Sequence, residues 1–161
     1  MTKVVLSLGS NIDRYHNIRA GLDELRATFG SVDLSPVYES EAVGFDGEPF
    51  LNLVVRVETE LSVGELSDTL RAIESRHGRV RGEKKFSSRT LDIDILTYDD
   101  RVGTIEGVEL PRGEILEHAF VLKPMADLMP EAKHPVEQKT YRELLAERDF
   151  SGQRLWPITF D

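Results

Sequence analysis

At 161 residues, with 40% hydrophobic and 30% charged content, the chain fits one globular domain, 1–161, large enough to bury about 70% of its unfolded surface. Its 29 acidic residues outweigh 20 basic ones, and a net charge of −9 argues against general nucleic-acid or anionic-membrane binding. Cysteine is absent, which removes disulfides and thiolate sites. No apolar run approaches the roughly 20 residues that span a bilayer and no basic-then-apolar leader precedes Val4, so a soluble, cytoplasmic protein is expected.

In chain order, residues 3–8 read as a short strand that Gly9, Ser10 and Asn11 break. A helix follows, with Ile18, Leu22, Leu25 and Phe29 at helical spacing and Gly30-Ser31 as its stop. Residues 32–40 form a second strand interrupted by Pro36, and 41–49 is a loop carrying Gly44, Gly47 and Pro49. The clearest strand is 51–59, with Leu51, Leu53, Val55 and Val57 on one face. The second helix opens with a capping box, Ser62 to Glu65, and carries Val63, Leu66, Leu70 and Ile73 as its apolar stripe. Residues 91–98 read as the central strand and 108–110 as a weak one. A helix over 120–129 stops at Pro130, and a last short helix starts from a capping box at Thr140 and Glu143. Trp156, Ile158 and Phe160 in the tail are expected to pack back on the body. The order β-α-β-β-α-β is that of a split βαβ, an α+β ferredoxin-like plan with a mainly antiparallel sheet, helices packed on it in three layers, and C-terminal additions.

The most informative stretch is 74–98. Between 76 and 89 stand six Lys or Arg (76, 79, 81, 84, 85, 89) against one acid, Glu83, so an acidic protein gathers much of its positive charge into one short segment. Such a segment suits a compact polyanion better than a long nucleic-acid backbone. In the strand that follows, Asp92 and Asp94 point to one side, and Leu91, Ile93 and Ile95 to the other. Two residues of strand separate Cα atoms by roughly 6.6 Å, a spacing from which two carboxylates converge on Mg²⁺. Mg²⁺ takes one or two carboxylates and completes its shell with water and substrate phosphates. Metal ligands on one side and guanidinium forks on the other are what phosphoryl chemistry on a nucleotide uses. The bland alternative is that both aspartates pair with Arg79, Arg81 or Arg89 as a salt-bridge network. His16, His77 and His134 form no metal-ligand spacing.

Taken together, these motifs resemble the 6-hydroxymethyl-7,8-dihydropterin pyrophosphokinase family. The likeness rests on Gly9-Ser10-Asn11, Phe50-Leu51-Asn52, Gly78-Arg79-Val80-Arg81, Arg89-Thr90-Leu91-Asp92-Ile93-Asp94, Phe120-Val121-Leu122 with Pro124, and Pro130-Glu131. It covers nearly the whole chain, and the family's fold is ferredoxin-like. The resemblance implies pyrophosphate transfer from ATP to a pterin alcohol with release of AMP, in folate biosynthesis. It further implies two Mg²⁺ ions on Asp92 and Asp94, and catalytic roles for Arg79, Arg81 and Arg89. On the nucleotide it places Arg71, Glu74, Arg81, Phe86, Arg89, Ile95, Arg112 and His118. On the pterin it places Ser40, Glu41, Val43, Phe50, Asn52 and Phe120, with the ring between Phe50 and Phe120.

Physical chemistry agrees with the pterin half: a flat heterocycle gains from stacking, and a buried Asn offers both donor and acceptor. The bland readings are core packing for the two Phe and a satisfied core amide for Asn52. The chain departs from the family pattern at Lys85 to Ser88, where Arg-Trp-Gly-Pro is usual. Arg112 and His118 nearly exchange the residue types usual there, and Glu41-Ala42 stands for Pro-Pro. Two alternatives follow: a divergent paralogue that binds pterin or nucleotide with weak or altered transfer, and an RNA-binding ferredoxin-like module. The second lacks the aromatic pattern such modules use, and the chain is acidic. A monomer is expected.

Overall fold

A computed structural model describes residues 1–41, 47–78 and 90–160. Alternating apolar side chains make β1 (Thr2–Ser10) and β4 (Phe50–Thr59) the inner pair of a sheet, antiparallel from Thr2 opposite Thr59 to Ser10 opposite Leu51. The proline that interrupts 32–40 divides it into β2 (Asp33–Leu34) and β3 (Val37–Ser40), because a residue without an N–H cannot continue the ladder. Both lie against β4. On the other side of β1 lies β5 (Asp92–Tyr98), and the path through the sheet is β5-β1-β4-β3-β8, where β8 is Leu155–Ile158. Since neighbours are antiparallel throughout, β1 and β3 run the same way with β4 inserted between them. That is the split βαβ arrangement, with α1 (Arg14–Phe29) and α2 (Val63–Arg76) as the two crossovers.

Helices cover both faces. Ile18, Leu22 and Leu25 of α1 and Leu66, Leu70 and Ile73 of α2 pack on Leu6, Leu8, Leu53, Val55, Ile93 and Ile95. The opposite face carries Val5, Val54 and Leu96 beneath α3 (Glu114–Glu117), α4 (Ala119–Leu128) and α5 (Tyr141–Glu147). Both capping boxes form: Ser62 accepts from Glu65 N–H and Thr140 from Glu143 N–H, with each Glu reaching back.

Four sequence expectations change. The strand at 91–98 is not central; β5 ends the sheet path and pairs with β1 alone. It reads as central because helices bury its apolar side as fully as an inner strand's. Its alternation also slips: opposite the step from Val5 to Leu6 the partner moves from Thr97 to Ile95, a bulge at Leu96. Leu96 therefore stays on the Asp92 and Asp94 side, under α4, while Tyr98 returns to the core of α1 and α2. The weak strand is half of a hairpin, β6 (Gly103–Ile105) with β7 (Val108–Leu110), and α3 was not legible as a helix at four residues. The tail docks as strand β8, with Ile158 and Phe160 on the core, whereas Trp156 stays 37% exposed and donates its indole N–H to Glu39 at 3.0 Å.

Candidate active site

Both aspartates of β5 are half-buried, on the face where α3 and α4 begin. Leu91, just before the strand, is fully buried against α1: a Cβ on Gly21 would sit 3.1 Å from Leu91 Cδ2, so any larger residue there would require the leucine to shift by a few tenths of an ångström. Burial pushes the pKa of Asp94 up, the neighbouring charge of Asp92 pushes the same way, and Arg112 opposes both. Two carboxylates that repel each other in a half-dry setting lower their energy by sharing a cation. That fits a hard, oxygen-seeking ion, and Asp92 with Asp94 would hold it. Among the described residues no group of three or more His, Asp or Glu is gathered as a metal cage.

Arg112 enters this cluster from the chain after β7. Its backbone N–H donates to Leu96 O at 2.9 Å, and its guanidinium reaches Glu114 at 2.9 Å and Asp94 at 3.7 Å. The arginine facing Asp94 in the described structure is thus not one of the three in the bland salt-bridge reading. Glu74, in the last turn of α2, is buried and accepts the N–H of Ile93 at 2.8 Å, closing part of the β5 edge. Arg71 is exposed one turn earlier on the same helix. The side chain of Ile95 lies in the core on the face opposite the aspartates, as the strand alternation predicts, so a nucleotide would meet only its backbone.

Arg79, Arg81, Phe86, Arg89 and Val43 lie outside the described residues. The described ends of the basic segment are nonetheless anchored. Arg76 and His77 both bond to Glu24 of α1, the former at 2.5 Å, and the Ser10 hydroxyl donates to Thr90 O at 2.5 Å. A Cβ on Gly78 would lie 3.6 Å from Thr90 Cγ2, so the two ends meet beside β5.

Across β1 from the aspartates, β4 and then β3 carry the second set. Asn52 is buried and donates to Ser40 Oγ at 2.7 Å, while a Cβ on Gly9 would press to 3.1 Å from Asn52 Oδ1. One side of this amide is therefore satisfied within the core, as the bland reading holds, and glycine before it keeps room for the other. Phe50 and Phe120, both half-buried, begin β4 and α4. Ser40, Glu41, His118, Ala119, Phe120 and Gln153 line a pocket of about 290 Å³. His118, which the resemblance assigns to the nucleotide, stacks on Phe120 at 4.7 Å between centroids and 15° between planes and lines the same pocket. Gln153 and Arg14 were missed. Arg14 bonds to Glu39 at 2.6 Å and to Pro49 O at 3.1 Å, bracing the loop end before Phe50, and no local pattern marks either residue.

Residues 5–130 match the family described as 7,8-dihydro-6-hydroxymethylpterin-pyrophosphokinase, HPPK. The chain belongs to the HPPK family. It is 36% identical, over 93% of its length and 94% of theirs, to the 2-amino-4-hydroxy-6-hydroxymethyldihydropteridine pyrophosphokinase of Pseudomonas aeruginosa. The enzyme of the same name from Methylorubrum extorquens is 37% identical, over 94% of this chain and 97% of that one. A folic acid synthesis protein of Schizosaccharomyces pombe is 35% identical over 94% of this chain, which spans only 21% of that longer protein. Among solved structures, a Plasmodium falciparum HPPK-DHPS with pterin and p-hydroxybenzoate superposes with a TM-score of 0.74 at 15% identity, covering 91% of this chain and 43% of the other. That likeness carries the fold: the HPPK sheet is the ferredoxin-like one described above.

Proposed function

We infer that this HPPK family member transfers pyrophosphate from ATP to 6-hydroxymethyl-7,8-dihydropterin and releases AMP, as one domain acting in folate synthesis. The observation that carries the reading is that one sheet bears both the crowded Asp92 and Asp94 carboxylates, on β5, and, at Ser40 of β3, a pocket walled by stacked rings. In this reading Asp92 and Asp94 hold Mg²⁺, which neutralises phosphate charge when bound. Arg112, with Arg79, Arg81 and Arg89 by sequence, supplies guanidinium donors to the triphosphate, and Arg71 and Glu74 flank the nucleotide. Phe120 and Phe50 sandwich the pterin, while Asn52, Ser40 and the backbone at Glu41 and Val43 read its polar edge. The pterin hydroxyl oxygen bonds to the β-phosphorus as the bond from that phosphorus to the α-bridging oxygen breaks. The hydroxyl proton passes to solvent and AMP leaves. The protein's part is positioning and charge stabilisation. No helix among the described residues is long and apolar enough to cross a membrane.

The test is AMP formation with Mg²⁺, ATP and the hydroxymethyl-dihydropterin. Release should depend on the pterin, stop when EDTA removes the metal, and fall by about a hundred- to a thousandfold in Asp92→Ala and Asp94→Ala, the scale of losing a preorganised charge-stabilising group. Tight pterin binding without AMP release would instead mark a binding-only relative.

A further inference from the structure

The pocket lined by Ser40, His118, Phe120 and Gln153, which the functional reading gives to the pterin, has a wall built from a part of the chain the reaction does not otherwise use. His118 precedes α4 and caps it with no side-chain bond, so the first N–H groups of the helix need outside acceptors. Val121 and Leu122 N–H are taken by the His118 carbonyl at 3.1 and 3.0 Å. Ala119 N–H is taken from 34 residues away, by Gln153 Oε1 at 2.7 Å. The same carboxamide donates through Nε2 to Glu117 O at 2.8 Å. Gln153 thus clasps the backbone on both sides of His118, the residue whose ring lies on Phe120. The helix needs the help: Pro124, lacking an N–H, cannot bond to the Phe120 carbonyl four residues back, so the first turn is short of its own ladder.

Gln153 is itself fixed. Its N–H donates to Phe150 O at 2.8 Å, and Phe150 packs on the core under α4 and α5. On the other side of the turn, Glu41 N–H donates to Arg154 O at 3.4 Å, which ties the segment to the end of β3. The turn over 150–154 therefore spans the pocket from the sheet to the start of α4.

We propose that Gln153 is a positioning residue for the flat-ring substrate, holding the His118–Phe120 stack as a rigid wall of its pocket. The inference rests on the pyrophosphokinase reading above. It acts through orientation, so it changes affinity for the ring while leaving the triphosphate site, which lies across β1 and β4, as it was. The test is calorimetric titration of hydroxymethyl-dihydropterin into protein saturated with Mg²⁺ and an ATP analogue that cannot transfer, and of the analogue by itself. Gln153→Leu keeps the bulk and removes both bonds; it should weaken pterin binding about tenfold, the factor for one to two lost hydrogen bonds, and move analogue affinity less than twofold. Gln153→Glu keeps the acceptor for Ala119 N–H but cannot donate to Glu117 O, so it should fall between wild type and Gln153→Leu. It also carries the test if the leucine variant does not fold. Pterin affinity unchanged in the variant that folds, or equal losses for pterin and analogue, would overturn the proposal. Wild-type protein that takes the analogue but no pterin would instead overturn the functional reading beneath it, and this inference with it.

Discussion

His134 shows how one residue converts composition into stability. It is 3% exposed, its Nδ1 accepts the N–H groups of Val136 and Glu137 at 3.1 Å each, and its ring meets Tyr141 edge-on. Burial holds its pKa below the ordinary value of 6.5, with Arg148 adding to the effect and Glu137 opposing it. A folded pKa below the unfolded one means that the unfolded chain binds the proton more readily. The stability this group contributes is therefore present above about pH 6.5 and lost as pH falls from there through the folded pKa. Denaturant titrations of wild type and His134→Asn between pH 7.5 and 5.5 should diverge, wild type losing more stability, since Asn accepts the same two N–H groups without titrating. Parallel profiles would show that the turn does not depend on a neutral ring. In sequence this histidine looked uninformative, because its role depends on N–H groups that only the folded turn presents. Asp92 and Asp94, by contrast, were legible, since a two-residue period on a strand fixes a shared face wherever the strand sits.

Helices and strands were read unequally well. Both capping boxes were visible because their partners are three residues apart and need no tertiary contact. In α5, seven residues long and too short to persist alone, Thr140 carries much of the start: Glu143 N–H donates to its hydroxyl at 3.1 Å, and its own N–H donates to Glu143 at 3.0 Å. Thr140→Ala should lower unfolding free energy by about 1 kcal/mol and Thr140→Ser should recover most of it, as read from the midpoint of chemical denaturation. No loss in the alanine variant would mean that packing of Tyr141 and Leu144 alone sets the helix. Strand β8 was illegible as a strand, since Leu155–Ile158 includes a proline and pairs only at the edge of β3.

For the whole molecule, the sheet links the two cores. Leu53 and Val55 of β4 point into one and Val54, between them, into the other, all at most 1% exposed. Neither core can open without dismantling the strand they share, so unfolding should be a single cooperative transition. Far-UV circular dichroism and the fluorescence of Trp156, on β8, should trace the same denaturant midpoint. An earlier fluorescence transition would show β8 leaving first and the wall at Gln153 with it.

The sequence by itself determined the split βαβ order, the caps, the acidic pair on β5 and the family, because each depends on spacing within a few residues or on motifs in fixed order. Only the tertiary structure decided that β5 is an edge, that Arg112 faces Asp94, that His118 lies on Phe120, and that Gln153 clasps the chain beside it. The pairing that leaves β5 at the edge sets Val4 opposite Tyr98, Gln153 reaches back 36 positions to Glu117, and in a chain of alternating apolar and polar residues no local periodicity says which distant partner a group will find.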